Sequence, residues 1–492
     1  MTDKKPKTLG ELKQAGWRSV SVKEEMRRNL LDKINRGGTL FPGIVGFDKT
    51  VVPALVNAIL SKHHIILLGL RGQAKSRLIR QMHTLLDEYL PVIPGTYLNE
   101  DPLNPISPKG KQMVAEQGDN MPVAWLSREE RYHEKLATPD VSIADLIGDI
   151  DPIKAAREKL DISNEEVIHW GIIPRTNRGI FAINELPDLQ PRIQVGLLNI
   201  LEENDIQVRG FPLRVPLDLV LVFTANPEDY TNRGNIITPL KDRIDSQIIT
   251  HYPRSLADAR TITENEAVRN NDEIMVPDFM RNIVEEITFQ ARESEYVDQS
   301  SGVSVRVSIS AYENFLSNIE RRAAFSHDND LFPRMSDIYS VIPAVTGKIE
   351  LVYEGEQEGA ALVAVNLIGK AVNKTFLKHF PAPVKGKTSP DAPVPENPYE
   401  AVTDYFSSGK RLELSDEMPL EEYKKNLDAV AGLKQIVRKY FDTDDERERY
   451  LRMELVLEGL YHNNVIAREE EDTVISYGDV FSDMLRGMGE RS

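Results

Sequence analysis

The stretch Gly69-Leu70-Arg71-Gly72-Gln73-Ala74-Lys75-Ser76 sets glycines beside a lysine and a hydroxyl. Between a strand and a helix, such a loop turns backbone N–H groups toward an anion and adds the positive end of the helix dipole. Its lysine reaches the β and γ phosphates, and its hydroxyl serves Mg2+. The expectation is a phosphate cradle made of Gly69, Gly72, Gln73, Ala74, Lys75, Ser76 and Arg77, with Ser76 toward the metal. The strict P-loop pattern has glycine where this chain has Ala74, a departure of one methyl group.

A carboxylate closing an apolar strand can accept a proton from water attacking a γ phosphate. Glu185, after Ile180 to Ile183, is placed for that. The position before it, where an aspartate ordinarily holds the magnesium shell, is Asn184, an oxygen ligand without charge. Asn226, at the end of a third apolar run, offers an amide that can orient the water. Arg243 follows in Leu240-Lys241-Asp242-Arg243, where a guanidinium could reach a neighbour's nucleotide; a lone Asp-Arg pair is otherwise a surface ion pair. Arg306, at a helix start in Ser304-Val305-Arg306-Val307-Ser308, is the last candidate.

These residues need elements to hold them. His64 to Leu68 reads as a buried strand, preceded by a helix through Val51, Leu55 and Ile59. A helix opening at Lys75 follows, with apolar positions at Leu78, Ile79, Met82, Leu85, Leu86 and Tyr89. Residues 92–135 are rich in proline and charge and read as a surface insertion. Gly179 to Ile183 and Leu219 to Phe223 are core strands. Between them lie a helix through Ile193, Leu197, Leu198 and Leu201 and a hairpin turning at Gly210-Phe211. After Pro253 the pattern is helical, near 255–269, 277–291, 308–325, 335–346 and 357–378, then at 421–441 and 444–462; Pro381 to Pro398 reads as a proline-rich linker. The predicted fold is α/β, a parallel-sheet nucleotide-binding core at 41–254 after an N-terminal segment (1–40). A helical lid and extension (255–380), the linker (381–398) and a mostly helical C-terminal region (399–492) follow.

The 492 residues carry 60 Lys and Arg against 77 Asp and Glu, a formal net charge of -17. That field repels phosphate backbones and anionic lipid, so neither general nucleic-acid binding nor membrane attachment is expected. Apolar residues make up 41%, which excludes disorder of the whole chain. With no cysteine, disulfides, thiolate metal sites and a cysteine nucleophile are excluded. Met1 to Gly16 has no apolar signal core and no run of about 18 apolar residues occurs, so a cytoplasmic location is expected.

In this order the elements resemble the AAA+ ATPases, and within them the clade of MoxR proteins and the magnesium-chelatase I subunit. The clade shares Ile44-Val45-Gly46, although Phe47 stands where many members have glutamine, and MoxR proteins commonly have alanine at the place of Ala74. Leu146 to Pro152 and Trp170 to Gly179 look like the clade's hairpin insertion ahead of Walker B. Thr346 to Leu351 looks like a stretch of chelatase I subunits. The resemblance covers Phe41 to Leu351; the two ends of the chain resemble nothing we can name.

The resemblance implies ATP and Mg2+ as ligands, with Ile44, Val45 and Gly46 joining the P-loop residues around the nucleotide. It implies Lys75 and Ser76 in Walker A, Asn184 and Glu185 in Walker B, Asn226 as sensor 1, Arg243 as arginine finger and Arg306 as sensor 2. It also implies a homo-oligomeric ring, usually a hexamer, acting with a von Willebrand A domain partner on a protein client. The leading expectation is thus an ATP-driven remodelling motor. The alternatives are a chelatase I subunit driving Mg2+ insertion into a porphyrin and, because of Asn184, a nucleotide-gated scaffold with weak ATPase. Charge disfavours a helicase, and no Gly-Ala-Phe-Thr-Gly-Ala loop supports an enhancer-binding activator.

Overall fold

The computed structural model describes residues 5–159, 165–208, 214–227, 234–326, 330–383, 397–441, 443–471 and 474–480. The chain divides into two compact units, Met1–Tyr252 and Pro253–Ser492.

The first unit is built on five parallel strands: β1 (Ile65–Leu68), β2 (Tyr132–Leu136), β3 (Gly179–Asn184), β4 (Leu219–Ala225) and β5 (Ser246–Ile249). They lie in the order β5-β1-β4-β3-β2. β1 and β4 are buried throughout, as strands covered on both faces must be. Their alternating side chains feed two separate cores. Ile65, Leu67, Ile180, Ala182, Val220 and Val222 pack with Val22, Met26, Leu55, Leu78 and Ile79 of three helices. Ile66, Leu68, Phe181, Ile183, Leu221 and Phe223 pack with Ile193, Leu197 and Ile200 on the other face. The α/β fold expected from the sequence is therefore the one observed.

Strand β5 is not expected from the sequence, the helix expected at 421–441 is two, Leu420–Asp428 and Leu433–Tyr440, and two further elements differ between residues 75 and 136. The helix opening at Lys75 ends at Gln81, gives way to a 3-10 turn at Met82–Leu85, and leaves Tyr89 on a strand, Tyr89–Val92, paired with Ala124–Ser127. The helix Val22–Asn35 stops it: Asn29 Nδ2 donates to Leu85 O at 3.0 Å, and Glu25 Oε1 accepts from Asp87 N at 2.6 Å. Within the supposed surface insertion, residues 132–135 begin β2, an edge strand of the central sheet. Its Tyr-His-Glu-Lys-Leu sequence is polar because the strand is only half-buried, and it lacks the apolar run that marks β1, β3 and β4.

Antiparallel pairs decorate this core. Gly148–Ile150 pairs with Ile168–Trp170, in the segments read as a hairpin insertion, and Asp205–Gln207 pairs with Arg214–Pro216. The turn at Gly210-Phe211 between the latter two, and most of the Pro381 to Pro398 stretch, lie outside the described residues.

The second unit is mainly helical, with long helices at Asp278–Glu293, Arg306–Ser326, Ala360–His379 and Glu446–His462. One apolar core joins Ile283, Phe315, Leu367, Tyr399, Leu433 and Leu455, from both sides of the proline-rich stretch. Ala360–His379 has the length and apolarity of a membrane span, and half of that window is buried in the unit. The C-terminal region also holds a sheet that helical periodicity does not reveal: Leu412–Ser415, Val474–Gly478 and Ala467–Glu471, antiparallel in that order. The last strand reads Ala-Arg-Glu-Glu-Glu, polar because it is an edge.

Candidate functional site

Three strand ends meet along one edge of the central sheet. Leu68 pairs with Ala225 and Ile183 with Phe223, so the residues leaving β1, β3 and β4 at their C-terminal ends are neighbours. In open α/β sheets this edge, where strand order reverses, is where ligands bind.

Beyond β1, Gly69 N donates to Ala225 O at 3.2 Å. A Cβ at Gly69 would run into Thr250 Oγ1 and Gln73 Oε1, so only glycine lets the loop turn there. Gly72 has φ +75° and Ala74 φ 55°, ψ 15°. The left-handed conformation that glycine would take freely is thus adopted by alanine, at a cost of roughly 1–2 kcal/mol. The helix Lys75–Gln81 starts immediately after. Lys75 is buried, and its Nζ donates to Gly69 O and, at 3.1 Å, to Leu70 O. The ammonium is folded back over the loop that a phosphate would enter. Ser76 and Arg77 are exposed on the first turn.

Ile44-Val45-Gly46 belongs to the same neighbourhood. A Cβ on Gly43 would meet Arg77 Nη2 at 2.7 Å, and Ile44 and Ala74 pack against the same core.

Asn184 ends β3, and Glu185 stands just beyond it at φ 55°, ψ 54°. A left-handed glutamate is uncommon; strain of this kind collects at functional sites. Thr224 of β4 bridges the pair: its Oγ1 accepts from Glu185 N at 3.0 Å and donates to Asn184 Oδ1 at 3.4 Å. Asn226, buried, follows β4 by one residue. The residues Lys75, Glu185 and Asn226, far apart in sequence, therefore share one sheet edge.

Sequence reasoning missed Thr250-His251-Tyr252, the segment that follows β5. Thr250 Oγ1 donates to Gln73 Oε1 at 2.7 Å and its N to Leu68 O at 2.7 Å. His251 Nε2 lies 2.8 Å from Thr50 Oγ1, with its ring 5.0 Å from that of Phe47. Tyr252 OH donates to Arg71 O at 2.9 Å. Three successive residues thus fasten the loop after β1 and the segment after Gly46. Three consecutive residues with polar atoms after a short strand were the available signal, and that is not distinctive.

Arg243 is elsewhere. It ends the helix Thr238–Arg243, with Glu202 Oε2 2.7 Å from its Nε and Pro239 O 3.0 Å from its Nη1. Ser246, three residues on, pairs with Ile65 at the start of β1, so Arg243 lies near the sheet edge opposite the loop. A four-residue strand spans about 13 Å. Arg243 is unsuited to the loop of its own chain. Arg306 is exposed at the first residue of its helix in the second unit.

For Mg2+, the donors expected from the sequence are the Ser76 hydroxyl and the Asn184 amide. Both are neutral oxygens, which suits a hard cation that keeps most of its water and takes phosphate oxygens. The set fits, with less charge than a carboxylate would give.

No family model matches the chain. Its structural neighbours include a candidate ATPase from Cytophaga hutchinsonii at 17% identity, covering 73% of this chain and 97% of that one with a TM-score of 0.29. A chain from the complex of magnesium-chelatase subunits BchI and BchD is also 17% identical, over 65% of this chain and 98% of that one, at 0.34. Thermotoga maritima RuvB, the Holliday junction branch migration motor, matches at 11% identity over 76% and 79%, at 0.32.

Proposed function

We propose that the chain is an ATP-hydrolysing AAA+ motor of the MoxR and magnesium-chelatase type. The observation that carries the reading is the meeting, at one edge of a parallel sheet, of the Lys75 loop, the left-handed Glu185 and Asn226.

In this reading the loop's N–H groups and the start of the Lys75–Gln81 helix receive the phosphates of ATP, and Lys75 leaves its two carbonyls to offset their charge. Ser76 and Asn184 would hold Mg2+, which when bound neutralises charge on the phosphates. Glu185 accepts a proton from water and Asn226 orients that water. Ile44, Val45 and Gly46, beside Arg77, flank the nucleotide. Arg243 serves the ATP of the next subunit, since a head-to-tail ring repeats one donor and one acceptor around its axis. A hexamer is the ring proposed, with Arg306 of the second unit as sensor 2. Its work would be remodelling of a protein client together with a von Willebrand A domain partner.

The uncharged Asn184 favours one second reading, a scaffold that binds ATP and scarcely hydrolyses it. Steady-state ATPase with nucleotide binding by calorimetry tests both. Lys75→Ala should lose most ATP affinity in a folded protein. Glu185→Gln should bind ATP normally while turnover falls a hundredfold or more, in the range of about 10²–10⁴ that a general base contributes. Unchanged affinity in Lys75→Ala would defeat the nucleotide site, and a parent without Mg2+-dependent turnover would leave the scaffold.

A further inference from the structure

Glu185 holds a backbone conformation that persists only where its surroundings impose it. Two hydrogen bonds do so. Its carbonyl accepts from Asp188 N at 3.0 Å, and its N–H donates to Thr224 Oγ1 at 3.0 Å. Thr224 is 1% exposed and stands on β4 one step beyond the Phe223–Ile183 pair, two residues before Asn226. A hydroxyl has one proton to give, and this one is directed to Asn184 Oδ1. The same oxygen therefore takes a bond from the peptide of the proposed base and gives one to the side chain proposed for the metal shell. It does so from the strand that carries the proposed water-orienting amide.

Resting on the ATPase reading, we propose that Thr224 is a positioning residue that sets the direction of the Glu185 carboxylate. Without the hydroxyl, a part-buried N–H loses its partner, and the Glu185 peptide is free to relax toward the ordinary right-handed or extended region. The carboxylate would then change direction while the loop after β1 stays intact. Removing the hydroxyl also releases the Asn184 amide to turn, so the dependence on Mg2+ should change along with the rate.

The test is a kinetic split in the full-length protein. Thr224→Val nearly preserves shape and removes the hydroxyl. It should lower kcat for ATP at least tenfold, leave ATP affinity within twofold, and shift the Mg2+ concentration giving half-maximal rate. Thr224→Ser, which keeps the hydroxyl, should restore most of kcat. In a Glu185→Gln background Thr224→Val should add nothing further to the loss. If the valine protein does not fold, Thr224→Cys, a side chain of similar size and weak hydrogen bonding, is judged by the same split. A valine or cysteine variant with parental kcat, or one losing affinity and kcat together, overturns the proposal. When Glu185→Gln abolishes turnover but the Thr224 variants do not, this inference fails alone; when Glu185→Gln turns over normally, the base assignment fails with it.

Discussion

The sheet edge of the first unit and the core of the second treat buried polar groups in opposite ways. At the sheet edge of the first, strained backbone lies beside polar groups: Ala74 and Glu185 are both left-handed, and Lys75 Nζ donates to two carbonyls of its own loop. In the second, charges are sunk into the core and surrounded. Glu454 Oε2 accepts from Tyr423 OH and Met335 N, each at 2.8 Å. Glu458 accepts from Tyr339 OH and Tyr477 OH and pairs with Arg468 at 3.0 Å. Asp337 and Arg322, both fully buried, pair at 3.2 Å, with Asn318 donating to the same carboxylate. Strained backbone at strand ends is the kind that collects at functional sites. Buried carboxylates, each taking two or more partners on ordinary helical backbone, mark architecture.

The sharpest test of that contrast is Arg243. As architecture, it is half of an exposed pair with Glu202, and either partner could be removed for about 1 kcal/mol or less. As a donor to a neighbouring subunit's ATP, Arg243→Ala should cut kcat about a thousandfold or more with ATP affinity nearly intact, whereas Glu202→Ala should leave kcat within a few fold. Steady-state ATPase of the two variants reads it, and matching small effects would reduce Arg243 to its ion pair.

On the architectural side, Glu458→Ala should be severe for stability. It strands Arg468 and two tyrosine hydroxyls in the core, and breaking a buried pair from one side costs about 3–5 kcal/mol. The units carry separate reporters, because Trp17, Trp125 and Trp170 all belong to the first. The denaturation midpoint followed by helical circular dichroism should fall while the tryptophan-detected midpoint holds. Glu185→Gln should move neither. A stable Glu458→Ala protein would remove the architectural reading of this network.

The contrast also explains what could be read from sequence. Buried strands announced themselves as apolar runs, and the loop after β1 and Glu185 after β3 followed from position. Thr224 sits inside such a run and looks like one more β-branched core residue; its role depends on a register that only pairing reveals. The β2 strand and the Glu-rich strand Ala467–Glu471 were hidden because edge strands need no apolar face. Glu454 and Glu458 are indistinguishable in sequence from the solvated glutamates around them, since what buries them is the arrival of Tyr339, Tyr423 and Tyr477 from elsewhere in the chain.

A pH titration sharpens the second unit further. Burial pushes the Glu454 carboxyl up to about 7 from 4.5, against hydrogen bonds from Met335 N and Tyr423. Below about pH 4.5 it is protonated in folded and unfolded chains alike, and its contribution to stability is complete. As pH rises, the unfolded chain releases the proton and the folded one keeps it, so stability falls, by about 3 kcal/mol once pH passes 7. For Glu458 burial raises and the His462 and Arg468 contacts lower the pKa, with a net depression, so its contribution is present above about 4.5 and lost toward acid. Glu454→Gln should flatten the decline between pH 4.5 and 7 in dichroism-detected unfolding. An unchanged slope would place the titration elsewhere.

The smallest effect belongs to the first unit and touches the residue on which the motor and scaffold readings divide. Asn184 presents a neutral oxygen, already taking a long bond from Thr224, where a carboxylate would add charge toward a hard cation. Asn184→Asp should still accept from Thr224 and should keep the left-handed turn at Glu185, since the hydroxyl's proton and the Glu185 N–H are unaltered. What changes is attraction for Mg2+: the concentration giving half-maximal ATPase should drop about threefold to tenfold, the scale of roughly 1 kcal/mol of added charge interaction. Asp188, three residues after Glu185 in the turn that closes on it, is the acid that could already supply that charge. In that case Asn184→Asp crowds two carboxylates and the titration does not shift. A left shift with a faster basal rate would mean that the amide holds the site back, and no shift in an active parent would take Asn184 out of the metal shell and remove the ground for a scaffold.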